Sequence, residues 1–178
     1  MKSLLYSLMT ALLLFGCAAQ NPEDSVSGQT YSESANAPSE TSDSNPLETE
    51  ERPFGVTAVE AITDTSNSYT FSVEVSSPDE GCDNYANWWE VITEDGRLLY
   101  RRILAHSHVD EQPFTRSGGP VEIEPDEVVI VRSHMHPTGY HTQAMKGSFS
   151  AGFEPTTLPT DFADELAEVE PLPTGCAF

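Results

Sequence analysis

Asn87-Trp-Trp-Glu-Val-Ile-Thr93, then Glu94-Asp95-Gly96, then Arg97-Leu-Leu-Tyr-Arg-Arg-Ile-Leu-Ala105 is the stretch that decides the fold class. Two apolar, aromatic-rich runs flank Asp-Gly, a dipeptide that tolerates the positive φ of a tight turn, so the segment reads as an antiparallel hairpin. Alternation along a strand puts Trp89 with Val91 on the core face and leaves Trp88 the more exposed of the two.

Working outward, short runs of the same kind recur at 56–62, 69–75, about 114–123, 127–135 and 145–149. In Tyr69-Thr-Phe-Ser-Val-Glu-Val75 large apolar residues alternate with polar ones, the signature of a half-buried strand. With the hairpin strands at 87–93 and 97–106, the set predicts an all-β domain over 53–153. About seven strands suit an immunoglobulin-like antiparallel β-sandwich, with a cupin-like jelly roll as the alternative. A tail over 154–178 contains a predicted short helix from Asp161 to Val169, with Phe162, Leu166 and Val169 on one side and Pro171 ending it.

Four of the five histidines form two His-x-His pairs, His106 with His108 and His134 with His136, and His141 follows. Residues i and i+2 of a strand face the same way, so each pair presents two imidazoles side by side. In the sandwich order the 87–93 strand lies between the 97–106 and 127–135 strands, so the ends of those two share one rim. The loop of Cys82, Asp83, Asn84 and Tyr85 lands there too. Two strands apart is roughly 10 Å, a gap that opposed imidazoles and a metal ion can close. The expectation is a copper or zinc site from His106, His108, His134, His136 and His141. Glu111, Asp110 and Asp83 are accessory candidates, and Met145 is a soft axial candidate for copper. Met135 has the wrong parity and is expected to pack.

The N-terminus carries an address. Lys2 precedes an apolar run from Leu4 to Phe15, too short to span a bilayer. It ends in Leu14-Phe15-Gly16-Cys17, which resembles the lipobox of bacterial lipoproteins. That resemblance implies a signal peptide over 1–16, diacylglyceryl modification and membrane anchoring at Cys17 and, from Ala18, outer-membrane sorting in a Gram-negative envelope. Residues 17–52 are Ser, Thr, Glu, Asn, Asp, Gly and Pro with almost nothing to bury, so they are expected to form a disordered acidic tether.

With Cys17 taken by lipid, Cys82 and Cys176 remain in an oxidising compartment. They are expected to form a disulfide rather than stay free or supply a thiolate ligand. The formal charge of −21 repels nucleic acid and anionic lipid, and no basic patch offers a phosphate track. Such acidity suits solubility or a salty habitat. No serine stands in a nucleophile elbow, which removes Ser–His–acid hydrolysis.

His106-Ser-His108-Val-Asp-Glu111 with Gly118, and Pro137-Thr-Gly139-Tyr140-His141, resemble the two cupin motifs. The resemblance implies metal ligands His106, His108, Glu111 and His141 and a metalloenzyme. Three functional classes follow. One is an envelope lipoprotein that captures, buffers or delivers copper or zinc; another is a cupin-like or dismutase-like enzyme. The last is a glycan- or protein-binding module in which Trp88, Tyr85 and Tyr140 are platforms and the histidines are structural.

Overall fold

The computed structural model describes residues 53–177; the signal segment 1–16, Cys17 and the tether 17–52 lie outside the described residues. Nine strands follow in chain order: β1 (Gly55–Thr65), β2 (Ser68–Ser76), β3 (Tyr85–Thr93), β4 (Leu98–Ile103), β5 (Phe114–Glu122), β6 (Val129–His136), β7 (Gly139–Tyr140), β8 (Gln143–Ser148) and β9 (Gly152–Thr157). The domain is all-β, and the seven runs read from the sequence are β1 to β6 and β8. The two additions, β7 and β9, are short edge strands pairing β6 and β8. Because β9 belongs to the sheet, the domain continues past the 153 boundary.

Strand order is β4-β3-β6-β8-β1-β2-β5. One layer, β4-β3-β6-β8, joins the other, β1-β2-β5, through a single parallel contact, Gly55 with Gln143. The sheet then curls until its edge strands β4 and β5 approach. Arg102 Nε donates to Ser117 O across that seam at 3.2 Å. A Cβ on Gly118 would fall 2.6 Å from the Tyr100 hydroxyl, so glycine is what admits the approach.

Between the layers lies the main core: Tyr69, Phe71, Val73 and Val75 of β2, Trp89 and Val91 of β3, Phe114 and Val121 of β5, Val129, Val131 and Met135 of β6, and Met145 of β8. The alternation in β2 buries its odd-numbered residues, as the sequence pattern requires. Strand β3 is different, since every residue in it is buried. Its second face is covered by the tail. Ile92, Ile130, Ala144, Leu158 and Leu166 form a second cluster there, with Phe162 and Tyr140 against it. Burying a side chain such as Leu166 contributes about 1.5–3 kcal/mol, so the tail is a fixed part of the fold.

The expected helix at 161–169 is a single 3-10 stretch, Asp164–Glu168, entered through Ala163 in the left-handed region without a side-chain cap. Guanidiniums hold this stretch. Arg132 donates to the carbonyls of Phe162 (2.5 Å) and Ala163 (2.9 Å), and Arg101 donates to those of Leu166 (2.7 Å) and Val169 (2.5 Å). The Ala163 and Leu166 carbonyls also accept i+3 bonds along the chain, from the Leu166 and Val169 N–H groups, so the arginines brace a turn of 3-10 geometry. Both arginines converge on Glu90, which is wholly buried: Arg101 reaches Oε2 at 2.6 Å and Arg132 reaches Oε1 at 2.9 Å. Past the helix the Cys82–Cys176 disulfide, expected from the cysteine count, fixes the end of the tail with Cα atoms 5.5 Å apart.

Candidate functional site

A bulge in β3 builds the site. Ala86 pairs Met135 and Trp88 pairs His134, so Asn87 is the extra residue on its strand. On the core side of the bulge stand Ala86 and Met135; on the outer side, facing the tail, stand Tyr85 with His136 and Trp88 with His134. A cleft of about 460 Å³ opens between this outer face and the tail. Tyr85, Asn87, Trp88, His134 and His136 line the sheet side, while Glu168, Leu172 and Pro173 are among those on the tail side.

His134 is the most constrained group in the cleft. Its ring stacks on Trp88 with centroids 3.7 Å apart and 9° between planes, and the edge of Tyr140 meets it at 4.8 Å. Nδ1 lies 2.7 Å from Asn87 Oδ1. With that oxygen as acceptor, Nδ1 carries the proton and Nε2 keeps its lone pair. Burial, and after it the guanidiniums of Arg101 and Arg132, push the His134 pKa down to about 3. The imidazole is neutral at any ordinary pH. Burial, with Glu90 next, raises the Tyr140 hydroxyl to about 12.

Trp88 is not the open platform expected of it. It is 3 % exposed, with His134 on one flank and the Arg101 guanidinium 4.5 Å from its centroid. The opposite parity of the two tryptophans is as read; His134, Tyr140 and Arg101 are what cover Trp88. Tyr140 is likewise covered, with the Arg132 guanidinium 3.4 Å from its centroid.

The second histidine pair goes elsewhere. The loop 104–113 leaves β4 in one layer and enters β5 in the other, carrying His106 and His108 across the rim. His108 stacks on Phe114 at 3.7 Å and 11°. Its backbone N–H donates to Asp79 Oδ2 at 2.7 Å. Asp79 is the hub of this rim, since its other oxygen accepts from Ser77 Oγ and the Ala86 N–H. His106 and His108 have centroids 4.5 Å apart and line two hollows separate from the cleft.

So the shared rim forms, because β3 does lie between β4 and β6, but the four imidazoles do not meet. Parity aims His134 and His136 at the tail, whereas the crossing loop seats His108 against Phe114. Among the described residues no three His, Cys, Asp or Glu side chains gather as a metal-ligand group. His141 turns to Ser133, with Nδ1 3.0 Å from its Oγ, and burial lowers its pKa. Met145 is a core residue packed between the layers, which removes it as an axial ligand. Asp83 is exposed beside the disulfide, and Asp110 is exposed in the crossing loop. Glu111 is held by Arg116 at 2.7 Å, and that hydrogen bond is the main cause of its lowered pKa. Of the four cupin-like positions, His106, His108 and Glu111 share one loop while His141 binds Ser133.

Sequence reading missed Asn87, Asp79 and the Glu90–Arg101–Arg132 group. A signal existed for the last: Glu90 sits inside Trp-Trp-Glu-Val-Ile and Arg132 directly follows Val-Val-Ile-Val. Charges at such positions need partners, and opposite charges on neighbouring strands supply them.

No family model matches the chain, and no solved structure matches it. It is similar to a protein of Halomicrobium mukohataei named "Putative lipoprotein", at 45 % identity over 75 residues. The matched stretch is 42 % of this chain and 37 % of that relative, so the chain spans little more than a third of the relative's length.

Proposed function

We propose that the chain is a lipid-anchored lipoprotein of the cell envelope, whose β-sandwich is a binding module working through the cleft beneath its tail. The anchor reading rests on the run ending in Gly16-Cys17 and on the name carried by the relative. That relative comes from an archaeon, which supports an envelope address in general rather than sorting to an outer membrane. Replacing Cys17 by Ala should move the chain from the membrane fraction to the soluble one; retention in the membrane would overturn this part.

One observation carries the binding reading: a neutral imidazole fixed in position inside a cleft of ligand size. His134 Nε2 is a permanent acceptor. The Trp88 indole lies in the same floor, with its Nε1 buried and without a hydrogen-bond partner among the described residues, so its resonance reports on what the cleft holds. The imidazole acceptor, the Tyr85 hydroxyl and Asn87 on the sheet side and the Glu168 carboxylate on the tail side suit a hydroxyl-bearing ligand such as a saccharide unit. A metal ion is disfavoured at this floor, because the guanidiniums of Arg101 and Arg132 repel it. Titrating a panel of soluble saccharides while following tryptophan side-chain NMR signals tests the reading. Binding should shift the Trp88 indole resonance and weaken in Asn87→Ala. Saccharide binding that ignores Asn87→Ala, or no shift across the panel, would sink it.

A further inference from the structure

The loop 104–113 holds a second feature, independent of the cleft. The His108 side chain is 2 % exposed, and neither of its ring nitrogens has a hydrogen-bond partner among the described residues. Burying an imidazole with both nitrogens unmet costs free energy, so a group at this position that satisfies one of them would be stabilising. The Asp79 carboxylate, 3.9 Å from Nδ1, is beyond hydrogen-bond reach and already accepts from two backbone N–H groups.

His106 stands beside it, exposed, with ring centroids 4.5 Å apart, and both rings line the same two hollows, of about 100 and about 370 Å³. Charge around the pair is mixed: Arg102 and Arg116 line the smaller hollow, while the larger one is lined by Asp110 and Glu111 and carries no basic side chain besides the two histidines, so a cation is favoured on that side. Asp79, Asp110 and Glu111 are carboxylates of this rim, and the Arg116 guanidinium is engaged by Glu111 through both of its oxygens. Each imidazole lone pair is a borderline donor suited to copper(II) or zinc(II). We propose that His106 and His108 form a two-imidazole site for a divalent copper or zinc ion, with water completing the coordination.

The site differs from the four-histidine centre read from the sequence, because His134 and His136 take no part. Nor does it depend on the cleft's ligand. Two imidazoles make a labile site, one that takes up and releases an ion rather than locking it in the fold.

Full-length chain purified without a histidine tag is titrated with copper(II) and, separately, zinc(II) by calorimetry, with electron paramagnetic resonance of the copper form. One ion per chain should bind with nitrogen hyperfine structure from two imidazoles. His106→Ala, at an exposed position, should weaken binding about tenfold or more, the scale on which even supporting contacts to a metal ligand act. His136→Ala should leave it unchanged. His108→Phe preserves the stack on Phe114 while deleting the nitrogens, and should match His106→Ala in metal loss with an unaltered circular dichroism spectrum. No binding of either ion by the wild type, binding that survives His106→Ala, or binding removed by His136→Ala would each overturn the proposal.

Discussion

Arg101 donates to the Glu90 carboxylate through both Nε and Nη2, at 2.8 and 2.6 Å, with both side chains entirely removed from solvent. Arg132 completes the group from the other side, so one carboxylate is shared by two guanidiniums, the group keeps one net positive charge, and tail carbonyls accept from the remaining donors. This polar knot sits where the outer face of β3 would otherwise be wet.

Glu90→Ala should therefore be among the most damaging single changes. It leaves two buried cations facing each other, and breaking a buried pair this way costs about 3–5 kcal/mol. Urea unfolding would show the midpoint falling accordingly. A loss under about 1 kcal/mol would mean that the tail carbonyls alone hold the arginines.

Acid should erode stability through the buried imidazole of the cleft. His134 has a folded pKa near 3 against an ordinary value of 6.5, so the unfolded chain binds the extra proton between those limits. Its contribution is fully present above about pH 6.5 and is progressively lost as pH falls toward about 3. His108 and His141, also lowered by burial, act in the same direction. Unfolding measured from pH 7 to 5 should show stability decreasing, and His134→Phe should flatten that slope. An equal slope in the variant would contradict the assignment.

Removing the disulfide by Cys176→Ser should cost about 2–4 kcal/mol, since it frees a long loop in the unfolded chain. It should also loosen the tail wall of the cleft, so saccharide affinity and melting temperature fall together. Amide exchange at 172–177 would show the loosening directly; unchanged protection there would refute it.

Salt should stabilise the chain. A formal charge of −21 on 178 residues repels itself, and the screening length contracts from about 10 Å at 0.1 M to about 3 Å at 1 M. Melting temperature should rise as sodium chloride is added. A constant or falling value would show that paired charges such as Lys146–Glu94 matter more than the net excess.

The strands were legible because their information is local. Alternation marks β2, and Asp95-Gly96 marks the β3–β4 hairpin, with Gly96 at φ +84° as a tight turn needs. Strand order was legible because an immunoglobulin-like sandwich leaves few arrangements, and β3 duly lies between β4 and β6. Where the histidines point was not. The shared rim depends on topology, but the direction of His108 depends on a loop pinned by Asp79 from a distant turn. The tail's hold on the sheet was only partly legible: its apolar side is visible in the sequence, but the arginine contacts run to backbone carbonyls, and nothing in a carbonyl's own residue advertises them.

Joining Cys82 to Cys176 closes a ring across a sequence separation of 94 residues, within which lie all of β3 to β9. Any one peptide bond hydrolysed inside that ring opens it without detaching anything: both pieces stay joined through sulfur. Against any protease this makes a single clip survivable. The damage would appear on a gel only after a reductant is added.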